Sequence, residues 1–361
     1  MKKKTSYTDL ILIIWALIMV IAVALTLTNK SIDACSLYDE KVKAAELTKE
    51  AMEAIKLRKE ELSIPLVDKD IHQTGLLGER YTKITTTLGL LESKRTSLNP
   101  NFAAVVIDMF KEVGLKKESE IGVVFSGSFP ALNLAVLSAI EVFELSPCIM
   151  VSIGSSSYGA NHPDFTIYDM IQYLYQKNIF SHSVDYVSLG GALDTGDEFD
   201  DEIKNKIITR INENQTSFIY EKDFQKNITL RLDYFHQKVP NMKMLINVGG
   251  NLVSMGKDEA SFPTNNGLIK TNYLKRSRLG NNPNKGLIDY ALERKIPVVQ
   301  MLNIRSLAYK YKIPYDPQNI PEVGVGSVYL ETKYSVLIPI VSIVISFFLI
   351  IFYNLYRKYD R

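Results

Sequence analysis

Two uncharged apolar runs, one near each end, restrict this chain more than anything else in it. Leu10 to Leu27 reads LILIIWALIMVIAVALTL, and Val336 to Tyr353 reads VLIPIVSIVISFFLIIFY. Each is 18 residues long. As a helix at ~1.5 Å per residue that is about 27 Å, against roughly 30 Å for the hydrocarbon core of a bilayer. Length and the lack of charge separate both runs from an ordinary core helix. Pro339, near the start of the second run, is tolerated in a membrane helix as a kink or in the first turn.

The flanks suggest an orientation. Lys2, Lys3 and Lys4 precede the first run, and Arg357, Lys358 and Arg361 follow the second. The positive-inside rule puts both flanks in the cytoplasm; Lys30, just past the first run, opposes this but is outnumbered. The expected organisation is a tail over 1–9, a transmembrane helix over 10–27, an extracytoplasmic domain over 29–335, a second transmembrane helix over 336–353 and a tail over 354–361. That organisation predicts a two-pass protein of the cell membrane with both termini cytoplasmic. A cleaved signal peptide fits less well, because the apolar core exceeds the usual ~7–15 residues and no small-x-small site follows directly. Ile32-Asp33-Ala34-Cys35 is only a loose lipoprotein box, since Thr28, Asn29 and Lys30 separate it from the apolar run.

Between Ser31 and Lys333 there are 35 basic and 38 acidic residues, a net −3. That balance argues against a nucleic-acid partner, which calls for a strong basic excess. Any anion site has to be local, built from a few side chains or backbone N–H groups. Two cysteines among 361 residues exclude a disulfide-dense scaffold and a multi-cysteine zinc module. Cys35 and Cys148 could pair outside the membrane. The plainer reading makes Cys148, inside the apolar run from Pro147 to Ile153, a buried free thiol.

The middle region opens with a charge-rich stretch, Leu37 to Leu62, whose Ala44, Leu47, Ala51, Ala54 and Ile55 fall at helical spacing and predict an amphipathic helix. Residues 63–94 are irregular. Asn99-Pro100 signals a helix over Phe102 to Val113 that Gly114 ends. Strands are expected at Ile121–Phe125, Cys148–Ile153, Tyr186–Leu189, Met244–Val248 and Pro297–Leu302. Helices are expected at Ala131–Glu144, Thr166–Lys177, Asp201–Asn212, Leu287–Arg294 and Ile304–Tyr311. Short buried strands alternating with helices predict an α/β fold, a mostly parallel sheet with helices on both faces, flanked by one transmembrane helix at each end.

Ligands of open α/β sheets bind at the carboxyl ends of the strands. Four expected strands end in Gly or Ser clusters: Ser126-Gly127-Ser128, Gly154 to Gly159, Gly190-Gly191 and Gly249-Gly250. Glycine lets the backbone approach a ligand closely, and helix N-termini supply free N–H groups to an anion. Ser128-Phe129-Pro130-Ala131 is the clearest case, a capping Ser followed by Pro at a helix start. The plainer reading of each cluster is an ordinary strand-to-helix turn. No GxGxxG, GxxxxGK[ST] or GxSxG is present. A serine hydrolase would draw on Ser128 or Ser157, with His162 as base and Asp164 or Asp194 to orient it. The four histidines show no HExxH spacing; a metal site would have to be assembled from His162, Asp164 and Asp194, and neither a metal nor a cofactor is expected. Lys83, Lys94 and Arg95 form a small basic group that reads as solvated surface. Tyr168, Tyr173 and Tyr175 share one predicted helix and read as packing.

Six motifs occur together and in order: Gly75-Leu76-Leu77-Gly78, Lys94-Arg95-Thr96-Ser97-Leu98-Asn99-Pro100, Ser126-Gly127-Ser128-Phe129-Pro130-Ala131-Leu132-Asn133, Gly159-Ala160-Asn161-His162-Pro163, Ser188-Leu189-Gly190-Gly191 and Asn247-Val248-Gly249-Gly250. In these the chain resembles the poly-gamma-glutamate system protein family over nearly all of the middle region. Tyr158 and Tyr168 depart from it, standing where Trp is expected in many relatives. The resemblance implies partners: a membrane-associated ATP-dependent ligase and an integral membrane subunit that make poly-gamma-glutamate, a capsule or secreted polymer. Carried over as ligand-binding candidates are Ser126, Ser128 and Asn133 in the first loop, Asn161 in the second and Asn247 in the last.

The leading expectation is therefore an accessory subunit of polyglutamate synthesis and export. Its outer domain would bind the anionic polymer or brace the complex. The rivals are a serine-dependent hydrolase or transferase acting on that polymer through Ser128 or Ser157, and a scaffold whose Gly/Ser turns bind nothing.

Overall fold

The computed structural model describes residues 7–257, 266–270 and 282–359. Lys2, Lys3, Lys4 and Arg361, on which the orientation rests, lie outside the described residues, as do the side chains of Arg357 and Lys358. In chain order the first apolar run forms α1 (Tyr7–Thr28), followed by β1 (Lys30–Ala34) and the expected amphipathic helix α2 (Tyr38–Glu61). The irregular stretch holds β2 (Thr85–Thr87) and α3 (Leu91–Ser97), and α4 (Phe102–Val113) ends at Gly114, as expected. The alternation follows as β3 (Glu120–Ser126), α5 (Pro130–Phe143), β4 (Ser146–Ser152), three two-residue strands β5 (Ser155–Ser156), β6 (Asn161–His162) and β7 (Phe165–Thr166), then α6 (Ile167–Gln176) and β8 (Tyr186–Ser188). Next come α7 (Asp201–Glu213), β9 (Ser217–Ile219), α8 (Phe224–Lys238), β10 (Met244–Val248), α9 (Leu252–Met255), β11 (Gly267–Ile269), α10 (Leu287–Glu293), β12 (Val298–Met301) and α11 (Ile304–Lys310). The chain closes with β13 (Leu330–Tyr334) and α12 (Leu337–Tyr359).

The chain divides into two compact units. The first joins residues 1–36 to 329–361. Within it, Asp9–Thr28 and Leu337–Leu355 are long and apolar enough to cross a membrane. Small residues lie where these helices meet: Ala22, Ser342 and Ser346 are buried, and Ser346 Oγ donates to Ser342 O at 2.7 Å and to Met19 Sδ at 3.8 Å. Small side chains let helix backbones approach closely. Pro339 sits in the first turn of α12, where no intrahelical N–H is needed. Beyond the helices, β1 and β13 pair antiparallel, with Lys30 opposite Tyr334 and Ala34 opposite Leu330. Lys333 bridges Asp33 at 3.2 Å and Glu331 at 3.0 Å. Residues 30–34 and 330–334 therefore belong to this ribbon rather than to the outer domain expected over 29–335. Their mostly exposed, mixed-polarity side chains offer nothing to an apolar core.

The second unit, residues 37–328, is the α/β part. Its seven-stranded sheet has the order β11-β12-β10-β3-β4-β8-β9, parallel throughout except for the β11 edge. The two-residue side-chain period of a strand sorts the core onto both faces. Val123, Phe125, Val151 and Ile246 pack with α2, α4, α5, α6, α7 and α11, while Val124, Met150 and Leu245 pack with α8 and α10. From β3 the chain winds outward through β4, β8 and β9. It then returns and winds the other way through β10 and β12, with its helices on the opposite face. The winding reverses between β3 and β10, which makes the gap beyond their carboxyl ends the expected ligand crevice of a doubly wound sheet.

Both cysteines are free thiols. Cys148 is buried in β4, and burial pushes its thiol well above its ordinary pKa. Tyr168 is buried, its hydroxyl 2.9 Å from Thr216 Oγ1, and Tyr173 is partly buried, whereas Tyr175 is exposed.

Candidate functional site

All four Gly/Ser clusters open on one cavity of about 710 Å³ at the carboxyl ends of β3, β4, β8 and β10. Ser126 and Ser128 contribute from the first loop, Gly154 and Ser156 from the second, Gly190 and Gly191 from the third, and Gly250 and Asn251 from the fourth. β2, α3 and the start of α11 complete the walls.

The loops are tied to one another by backbone bonds. Gly127 N donates to Ser152 O and Gly154 O at 3.2 Å each, and Ala160 N donates to Gly127 O at 2.7 Å. Gly154 N donates to Leu189 O at 2.8 Å, and Gly249 N to Met301 O at 2.9 Å. Gly249 has φ +100°, and a Cβ there would lie 2.0 Å from Ser126 Oγ, which itself donates to Val248 O at 3.2 Å. Gly191, at φ +84°, would place a Cβ 2.1 Å from the Glu198 carboxylate, which accepts from Ala192 N at 2.7 Å. Glycine is required at both points for conformation and for space.

The candidates from sequence divide between the cavity and its supports. Ser126 and Ser128 line it. Ser128 does not cap α5: the cap position falls on Phe129, Pro130 begins the helix, and Ser128 Oγ accepts instead from Ser156 N at 3.1 Å. Asn133 is buried within α5 and its Nδ2 donates to Ser126 O at 2.9 Å. Asn247 Nδ2 donates to Gln300 Oε1 at 2.7 Å and to Gly249 O at 2.8 Å. Asn161 accepts from Glu79 N at 3.1 Å and donates to Glu79 O at 2.7 Å and Thr85 Oγ1 at 3.0 Å. These three asparagines hold loops in place from behind.

The triad expected from sequence does not assemble in these bonds. Ser157 Oγ donates to Thr87 O, and His162 Nδ1 accepts from Asp164 N at 3.3 Å. Burial draws the half-buried His162 below its ordinary pKa, and Asp164 offsets part of this. Asp194, 2% exposed, pairs with Arg231, 1% exposed, and also accepts from Ser188 Oγ at 2.7 Å, Ser152 Oγ at 3.1 Å and Asn227 Nδ2 at 3.2 Å. It is a strut between β4, β8 and α8 beneath the cavity floor, and it is committed to that pair. Among the described residues no group of three His, Cys, Asp or Glu side chains is arranged to hold a metal ion.

Sequence reading missed the most unusual group in the cavity. α3 turns Lys94 inward, 1% exposed, where Nζ donates to Ser128 O, lies 2.7 Å from Ser156 Oγ and sits 4.0 Å from the centre of the Phe129 ring. Burial lowers its pKa to about 7. The neighbouring Arg95 faces the other way and grips Asp316 through two bonds of 2.6 Å, while Ser93 Oγ meets Tyr315 Oη at 3.1 Å. Only the exposed Lys83, 3.7 Å from Asp200, matches the solvated surface expected of the three basic residues. The sequence signal for Lys94 is its place in the KRTSLNP motif, which a charge count alone does not weigh. At the mouth, Arg305 stacks 5.0 Å from the Tyr315 ring, and Glu198 stands on the opposite loop. Compared with protein-family models, with characterised proteins and with solved structures, the chain matches none.

Proposed function

We propose that the chain is a membrane-anchored accessory component of poly-gamma-glutamate synthesis and export, and that its cavity takes a short carboxylate-bearing segment of the polymer. The observation that carries the reading is the convergence of the four Gly/Ser loops, Phe129 at the entry to α5 and Lys94 on one cavity at the reversal of the sheet. The volume lies in the roughly 300–1,000 Å³ range of small-ligand sites, so a few residues are held rather than a long chain. Each carboxylate at a helix N-terminus contributes about 0.3–1 kcal/mol when exposed. A repeating polymer multiplies such contacts through local concentration. The motifs shared with the poly-gamma-glutamate system proteins support the choice of polymer and name the ligase and the integral membrane subunit as partners. The apolar end helices and their basic flanks support two spans with both tails cytoplasmic and the α/β unit outside.

Full-length protein in lipid nanodiscs, titrated with polyglutamate in a calorimeter, tests the binding. The expected result is salt-sensitive binding that Arg305→Glu weakens and that Leu252→Trp, which adds bulk to the cavity wall, also weakens. Folded protein that binds no polymer at low salt removes the reading. A cysteine at the exposed Glu213 position, in a Cys35→Ser, Cys148→Ser background, tests the orientation. It should react with a membrane-impermeant maleimide on intact cells; reaction only after lysis puts the unit on the cytoplasmic side.

A further inference from the structure

We infer that Ser156 and Lys94 form a serine–lysine dyad, making the cavity an acyl-transfer site for an amide or ester carbonyl. The dyad rests on the cavity's own geometry and not on which polymer the protein serves. Ser156 lines the cavity at 8% exposure, and its Oγ lies 2.7 Å from Lys94 Nζ, within reach for proton transfer. The backbone holds this serine still. Ser156 pairs with Thr87 across β2 and β5, its N–H donates to Ser128 Oγ at 3.1 Å, and the next residue donates to Thr87 O at 2.9 Å.

Among the described residues no carboxylate pairs with Lys94. The charged residues that share the cavity are Arg305 and Glu198 at its mouth. Burial brings the lysine to a pKa of about 7, so near neutral pH much of it is an amine with a lone pair. Nζ donates to Ser128 O and lies 2.7 Å from Ser156 Oγ, so once deprotonated its lone pair is within reach of the Ser156 hydroxyl proton. A serine beside a desolvated lysine is a known alternative to a serine–histidine pair. Phe129, the residue that precedes α5, lines the same space beside the dyad.

The step balances within the protein and its substrate. Ser156 Oγ adds to the carbonyl carbon as its proton passes to Lys94 Nζ. The bond to the leaving nitrogen or oxygen breaks as Nζ returns that proton to it, leaving an acyl ester on Ser156. Water or an acceptor amine then adds to the ester and gives its proton to Nζ. The carbon–Oγ bond breaks and Oγ recovers a proton from Nζ.

The test is covalent labelling of detergent-solubilised full-length protein by a fluorophosphonate, with the adduct located by mass spectrometry. The expected adduct is on Ser156, with a rate that rises through an apparent pKa near 7, the value burial gives Lys94. Ser156→Ala removes it, and Lys94→Met slows it by roughly 100-fold or more. Thermal unfolding of each variant separates loss of the base from loss of the fold. Folded wild-type protein that takes no label at Ser156, or labels it equally fast after Lys94→Met, overturns the dyad even if polyglutamate binds. A Ser156 adduct on protein that binds no polyglutamate upholds the dyad and removes only the polymer.

Discussion

Replacing Asp194 by Asn keeps the shape of the side chain and removes its charge. In the native protein that carboxylate gathers bonds from Ser152, Ser188, Asn227 and Arg231, all buried. The amide can still accept from a serine, but the guanidinium of Arg231 is left charged in a site 1% exposed. Removing one partner of a buried pair costs about 3–5 kcal/mol. The retained serine bonds place Asp194→Asn near the lower end, at about 3 kcal/mol, a large share of the ~5–15 kcal/mol that holds a typical domain. Arg231→Met takes away the stranded charge, so the double variant should be less destabilised than the sum of the singles, with a coupling of about 1–3 kcal/mol. Urea unfolding in detergent, followed by circular dichroism at 222 nm, measures all four proteins. A single-variant cost under about 1 kcal/mol, or costs that simply add, would refute the view that this pair is closed off from water and supports the cavity floor.

Gly249→Ala should destabilise the α/β unit by about 2 kcal/mol, from the strained positive φ and the displaced Ser126 hydroxyl. Adding Ser126→Ala should recover part of the loss in the same unfolding experiment. Arg95 holds the Asp316 carboxyl below its usual pKa, chiefly through the side-chain bond and then the ion pair. With side chains 18% and 23% exposed, the pair should contribute about 1 kcal/mol. A depressed carboxylate stabilises the fold above its unfolded pKa of about 3.9 and loses that contribution as the pH falls through the lower folded value. Arg95→Gln should therefore unfold earlier than wild type at pH 7, and the gap should close in the acid range. A gap of constant size from pH 7 to pH 3 would contradict the assignment.

Local pattern carried a good part of the architecture. The two end helices follow from uncharged length, and α4 and α5 from apolar spacing with Gly114 and Pro130 as punctuation. β3, β4, β8, β10 and β12 follow from short apolar runs closed by turns. Between 213 and 243 the pattern assigns no element, yet β9 and α8 lie there. Only Asn227, Ile228, Arg231, Phe224 and Phe235 of α8 are buried, and two of these are polar, so the apolar stripe is thin. The β1–β13 ribbon escaped for a related reason: its strands are 296 or more residues apart and mostly exposed, and they acquire meaning only as a pair.

By itself the amino-acid order determined where the strongly patterned helices and strands form and which turns carry glycine and serine, because those depend on propensity and on periods of 3.6 and 2 residues. Which turns meet was decided by the strand order and by the reversal between β3 and β10, properties of the assembled sheet. The inward turn of Lys94 toward Ser156, and the pairing of Asp194 with Arg231, likewise join segments 62 and 37 residues apart. A window along the chain counts a lysine as surface. Only the packed protein can surround it, strip its water and put a hydroxyl beside it.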